Sequence, residues 1–395
     1  MCSSDLVASL AMNFWIPFLP LYMKHLGATS DANALFWVAV ATTGLGFGRL
    51  VSGPFWGVLS DHLGRKLMFV RALFFATATT LIAAFATEPW HVAAAYGCQG
   101  LLSGFIPAAV ALTSVTVPEE RLTTAMGTVT AAQYLGNTIG PAVGAGLAWA
   151  FGLRGAIAAA AVMPAIAALA VYVIVPRDVT APSPSVVRTG TVEVERPASW
   201  WSLMTAQFAL ALFVYFFLFA ANQLLRTLTP LAVEHIEGQK ATGIVGIAFT
   251  LAGVASVVGV TVVSRRFVRP GRFAFAIALG CLLAGLAHIP LAFASAVPVY
   301  VIAFCAISLM QGALLPASNT LIASNVPRSR RGTAFGLAGS AQALAFMVGP
   351  LGATAFAAIS VRYGYLALGL LFVAMALFSR SAICEPRRAT NTVAA

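Results

Sequence analysis

The chain has 395 residues, 60% of them hydrophobic and 9% charged, with a mean hydropathy of +0.90. Soluble domains carry about 25% charged residues, so a water-solvated globular protein is excluded and a polytopic membrane protein is indicated. The net charge of +11 does not call for a nucleic-acid partner. With both termini cytoplasmic, most Lys and Arg, among them Arg65, Lys66, Arg177, Arg265 and Arg387, fall on the inner side, which is the positive-inside bias of membrane proteins.

Twelve apolar runs are read at 6–23, 34–60, 67–87, 90–117, 121–150, 155–175, 201–233, 241–264, 272–293, 297–325, 330–357 and 361–380. Each is near the roughly 20 residues that a helix needs to cross a bilayer. Lipid admits only helices and closed barrels, and runs of this length are helical. The expected fold class is an all-α membrane protein of twelve transmembrane helices in two pseudo-symmetric six-helix bundles. The opening "MCSSDL" has no basic residue and leads straight into a short run, so it is no signal peptide. It reads as a chain lacking part of its natural start.

After the second run comes "GVLSDHLGRK", Gly57 to Lys66, a tight charged turn. Gly57 permits close helix approach, Gly64 permits the turn, and Arg65 and Lys66 anchor the inner leaflet. Asp61 at a helix end needs a partner, either Arg71 one helix on or the positive N-terminus of another helix. The bland alternative is a purely topological loop. In the fifth run, Gly127, Gly136, Gly140, Pro141 and Gly144 interrupt an apolar helix. Glycine there costs about 1 kcal/mol against alanine and proline about 3. Gly136, Gly140 and Gly144 are spaced by four and share one face, where a second helix can pack backbone-close.

Residues 176–200 are rich in Pro, Ser, Thr and charge and read as a cytoplasmic linker between bundles 1–175 and 201–381, with a cytoplasmic tail at 382–395. The halves repeat. At an offset of 209, Val117–Pro141 lies over Val326–Pro350 with eleven of 25 positions identical, including Arg121/Arg330, Gln133/Gln342 and Gly140/Gly349. Duplicated bundles place a substrate site between them near the midplane.

The pattern G-x-x-x-D-x-x-G-R-K, on a twelve-run duplicated chain, resembles the signature loop of the major facilitator superfamily, with His62 where Arg is commoner. The resemblance implies that Gly57, Asp61, Gly64, Arg65, Lys66 and Arg71 form a conformational-switch loop. The second-half copy, "VVSRRFVRPGR", carries Arg265 where the acid would stand. The spacing from Gly127 through Gly144 resembles the fifth-helix motif of drug:proton antiporters, with Ala145 replacing a final glycine. "PFLPLY", "GPFWG" and "GFIPAA" resemble the MdtG-type multidrug exporters. The family commonly has an arginine where this chain has Tyr96.

All twelve acids lie at helix ends, loops or tails, so a pocket here suits neutral or anionic amphiphiles better than cations. Candidate cavity residues are Asn13, Tyr96, Gln99, Gln133, Asn222, Gln223, Arg226, Gln311 and Asn319, each with an alternative role in interhelical hydrogen bonding. Arg49 reads as an interhelical or interbundle anchor, and His288 as a packing residue or a group titrating near neutral pH. Five cysteines and five histidines show no metal or disulfide spacing, so no metal is expected, and no cofactor beyond the proton gradient. The expected function is proton-coupled export of small amphiphiles by alternating access, without enzyme chemistry, from a monomer in the bacterial inner membrane. Alternatives are a metabolite symporter or facilitator, or a non-transporting receptor.

Overall fold

The computed structural model describes residues 15–103, 119–174, 204–267, 272–326 and 331–383. The linker, the tail after Ile383, Asn13 and the start of the first run lie outside them. Within the described residues there are helices and no strand. A 3-10 turn, Ile16–Phe18, leads into α1 (Leu19–His25), followed by α2 (Asp31–Leu63), α3 (Arg65–Ala84), α4 (Pro89–Leu102) and α5 (Glu119–Ile174). Then come α6 (Ala206–Glu237), α7 (Ala241–Val258), α8 (Phe273–Ala292), α9 (Val297–Ser324), α10 (Arg331–Ala357) and α11 (Val361–Ala382). A π-turn, Gly259–Val263, carries α7 on into Ser264–Phe267. Eight helical stretches among these residues are long and apolar enough to cross a membrane.

Local chemistry sets the boundaries. α2 and α3 are separated only by Gly64, whose φ of +91° is the left-handed backbone that a side chain disfavours. Gly152, at φ +71°, breaks α5 between the expected fifth and sixth runs. Glu88 and His91 form a reciprocal capping box at the start of α4. α4 ends at Leu102, where Ser103 turns extended at φ −103° and ψ 155°; the rest of the fourth run, expected to 117, lies outside the described residues.

The described residues cluster into two compact units. The first takes the described residues within Met1–Glu195, Arg226–Thr250 and Phe346–Ala358; the second takes those within Arg196–Leu225, Leu251–Ala345 and Ile359–Ala395. In the first, Trp15, Leu19, Tyr22 and Met23 pack with Val92, Ile157 and Ala160. The Tyr22 hydroxyl donates to the Ala83 carbonyl at 2.8 Å, and Arg154 caps the same end by donating to Ala86 O at 3.0 Å. In the second, Gly285 and Gly369 bring α8 and α11 backbone-close, and the hydroxyls of Tyr300 and Tyr365 meet at 2.8 Å. Large apolar side chains such as Trp149, 90% exposed, and Leu370, 71% exposed, face outward. An outer surface of this kind is solvated by lipid.

The sequence repeat reappears in the packing. A Cβ on Gly48 of α2 would sit 2.8 Å from the Gly100 carbonyl carbon on α4, and one on Gly100 would strike the Leu45 backbone. In the second unit, Gly259 meets Leu309 and Ala313 of α9 in the same manner, and Gly312 meets Ser256. Both pairs are glycine-mediated contacts of the kind that membrane helices use when no hydrophobic force drives them together.

Candidate functional site

The glycine and proline face of the fifth run is buried at Gly136, Gly140, Pro141, Gly144 and Ala145; Gly127 lies on the helix, its surroundings outside the description. The neighbour is α7. A Cβ on Gly246 would meet the Ala145 side chain and lie 2.9 Å from the Pro141 carbonyl oxygen. The glycine that the antiporter pattern lacks at 145 is thus matched by a glycine across the contact, which no pattern in either helix alone reveals. Gly246→Ala is expected to lower the melting temperature through overpacking worth about 1–3 kcal/mol. Adding Ala145→Gly should recover part of the loss, and the melting curve of the purified protein reads both.

The switch loop is described in part. Gly57, Asp61 and Arg65 lie on helical backbone, and their side chains fall outside the described set. Gly64 supplies the expected turn. Lys66 donates to the Tyr172 carbonyl at 2.8 Å and sits 5.5 Å above its ring, an anchor onto the end of α5. The Arg71 guanidinium lies 3.3 Å over the Trp56 ring. Its Nε and Nη1 are buried without a hydrogen bond among the described residues. Trp56 in turn donates to the Leu101 carbonyl at 2.6 Å, tying α2 to α4.

The cavity candidates divide. On α6 and α9, the Asn222 amide donates to Gln311 Oε1 at 2.6 Å, while Gln311 Nε2 is buried with no partner. That leaves a donor available in an apolar setting. Gln223 is bonded and half-buried, Asn319 half-buried. Arg226 lies 5.1 Å over the Phe249 ring of α7, an aromatic seat for a membrane arginine. On α4, Tyr96 and Gln99 are each 3% exposed, and Trp15 meets the Tyr96 ring edge-on at 5.4 Å. Asn13 and the Gln133 side chain lie outside the description. His288 is a packing residue: fully buried, its Nδ1 bonds Ala284 O at 2.7 Å and its ring stacks on Phe372 at 5.3 Å. No described Asp or Glu pairs with Arg49.

One constellation was missed in the sequence because its members are far apart in it. Lys24, at the end of α1, contacts Asp31 Oδ1 at 2.8 Å and Glu234 Oε2 at 2.6 Å, and His235 Nε2 lies 2.9 Å from Asp31 Oδ2. Burial pulls the Lys24 ammonium down, but the hydrogen bonds it donates to the Asp31 and Glu234 carboxylates, with their negative charge, outweigh it and hold the pKa above its ordinary 10.5. This contribution is present below 10.5 and lost as pH rises beyond the folded value, so Lys24 stays charged at neutral pH.

The chain as a whole is similar to known proteins. Over 373 residues, 93% of this chain and 88% of the relative, the chain is 27% identical to the multidrug resistance protein MdtG of Rahnella sp. (strain Y9602). It is similar in fold to a bacterial homologue of the human lysosomal transporter Spinster, with a TM-score of 0.77 at 14% identity, covering 96% of this chain and 95% of that one. The human organic anion transporter MFSD10 gives 0.64 at 19% identity, covering 95% and 97%. The family model described as Major Facilitator Superfamily matches residues 1–350 and again 271–394. A helical, multi-span chain with that match along its length belongs to the Major Facilitator Superfamily.

Proposed function

We propose that this transporter exports small amphiphilic compounds, neutral or anionic, by proton-coupled alternating access of its two halves. The observation that carries the reading is the similarity to MdtG multidrug resistance proteins along 93% of the chain. The buried Gly136–Gly140–Pro141–Gly144 face packed against α7 is consistent with it. The polar pair Asn222–Gln311, set among apolar helices, supplies hydrogen bonding without fixed charge. Such a site orients varied ligands through a few polar groups in an apolar wall. The proton gradient supplies the energy, and the Asp61 loop biases the exchange between states. One chain in the bacterial inner membrane, with both termini cytoplasmic, suffices.

The test is uptake of neutral, anionic and cationic dyes into energised inverted vesicles, with an uncoupler and Asp61→Asn as controls. Uncoupler-sensitive accumulation of neutral or anionic dyes, slowed several-fold by Asp61→Asn, is the expected result. Accumulation only of cations would overturn the substrate class. Absence of energised flux of any dye, from folded protein, would overturn export in favour of a metabolite carrier or a receptor.

A further inference from the structure

Arg226 has no counter-charge. Along α6 it lies about 30 Å from Ala206 and about 16 Å from Glu237, at 1.5 Å per residue, well inside a membrane-spanning helix. An arginine at such depth is expensive and is normally paired or turned to a polar interior. Neither an ion pair nor a hydrogen bond to Arg226 occurs among the described residues. The nearest acid on its own helix, Glu234, stands about 12 Å farther along and already holds Lys24. The helix packed beside it, α7, carries no acid.

The guanidinium is nevertheless within reach of a ligand. Arg226 is half-buried, and its nitrogens are not among the buried polar atoms that lack a partner. With no hydrogen bond covering them, they keep accessible surface. That surface does not face lipid. From 214 to 234 no residue of α6 is exposed, and Thr229 and Pro230, one turn on along the same face, are buried. A side chain on such a stretch has no lipid-facing route to the headgroups, so its free surface opens inward. Beneath it stands Phe249 of α7, 4% exposed, with its ring centroid 5.1 Å from the guanidinium carbon. Both residues belong to the first compact unit. The packing of Gly246 on Pro141 and Ala145 fixes α7 against α5, one turn before that ring. An aromatic face offsets part of the charge and leaves the N–H donors without an acceptor.

We propose that Arg226 binds the carboxylate or sulfonate head of an amphiphilic substrate, with the Phe249 ring as the platform that holds its guanidinium in position. The inference rests on the export reading and narrows it: of neutral and anionic amphiphiles, the chain selects the anions. An uncompensated cation inside an apolar bundle is satisfied by an anion and by no neutral group to the same degree. The planar fork of a guanidinium suits a two-oxygen head, which it can bind through two parallel hydrogen bonds.

The experiment measures equilibrium binding by the full chain in phosphatidylcholine nanodiscs, using dansyl-labelled undecanoic acid and its methyl ester. The wild type should bind the acid more tightly than the ester. Arg226→Met should weaken the acid at least about tenfold, the scale of a charge-assisted hydrogen bond, and leave the ester within about twofold. Arg226→Lys keeps the charge and loses the fork, so it should lie between the two. Phe249→Leu should weaken the acid several-fold and spare the ester. Melting curves identify misfolded variants, and the last two changes keep the test decisive if Arg226→Met does not fold. No preference for the acid in the wild type, equal losses for acid and ester, or no loss of acid binding in the folded variants overturns the subsite. Displacement of the acid by phosphatidylglycerol would assign the site to a lipid headgroup and overturn the substrate assignment. Binding needs no gradient, so failed export with intact, Arg226-dependent binding overturns only the transport reading.

Discussion

Gly100→Val is expected to leave little folded protein, with a loss of at least about 3 kcal/mol, the upper range of overpacking penalties. The Cβ alone would strike the Leu45 carbonyl oxygen and lie 2.8 Å from the Leu45 Cα and 2.9 Å from its carbonyl carbon. Backbone cannot swing aside as a flexible side chain does, so α2 and α4 would have to separate. Separation would also break the Ser52 bond to Gly100 and the Trp56 bond to Leu101, leaving polar groups unpaired in an apolar medium. Gly97, three residues earlier on the same helix, is the control, since a Cβ there meets nothing within 4 Å. Gly97→Ala should be neutral or stabilising by up to about 1 kcal/mol, the helix-propensity gain. Size-exclusion profiles and melting in detergent check the pair.

Lys24→Met is expected to destabilise the first compact unit by about 1–2 kcal/mol. Lys24 and Glu234 are 210 residues apart in sequence and meet within that unit, near the ends of α1 and α6. Removing the ammonium loses two ion pairs and leaves the Asp31 and Glu234 carboxylates without their shared cation. Side chains 21–29% exposed give each pair a worth near the top of the range for exposed pairs, about 1 kcal/mol. The sum, about 1–2 kcal/mol, is on the order of a tenfold change in the folded-to-unfolded ratio. The melting temperature of the purified protein should fall in Lys24→Met by a shift of that size. High salt should lower the melting temperature of the chain with Lys24 intact and have little effect on the variant. Unchanged melting in both would show that the cluster contributes nothing to stability. Because the Lys24 pKa is held above 10.5, its protonation should not contribute to pH dependence near neutrality.

Much of the fold was legible because a bilayer leaves the sequence few options. The break at Gly152 falls between the expected fifth and sixth runs, and the turn at Gly64 falls where the charged motif put it. The break at the end of α4 was not legible, since hydropathy continues past Ser103 although this helix stops at Leu102. An apolar count senses the solvent and not the backbone angle. For the site, the sequence found Asn222 and Gln311 as polar residues on separate runs and could not pair them. It found Tyr96 only as a departure from a family pattern, and read Arg49 as an anchor where the structure shows no ionic partner among the described residues.

By itself, the sequence determined the solvent, the helical class, the duplicated halves and the family, all set by composition, period and local motif. These are properties of a segment and its surroundings, readable from about twenty residues at a time. Tertiary structure alone decided which helices touch and through which atoms: Gly246 against Ala145, Lys24 between Asp31 and Glu234, Arg226 over Phe249. Lipid is as apolar as the side chains it meets, so hydrophobicity does not choose partners among membrane helices. Close backbone packing and a few buried polar groups do, and both depend on residues that only the folded chain brings together.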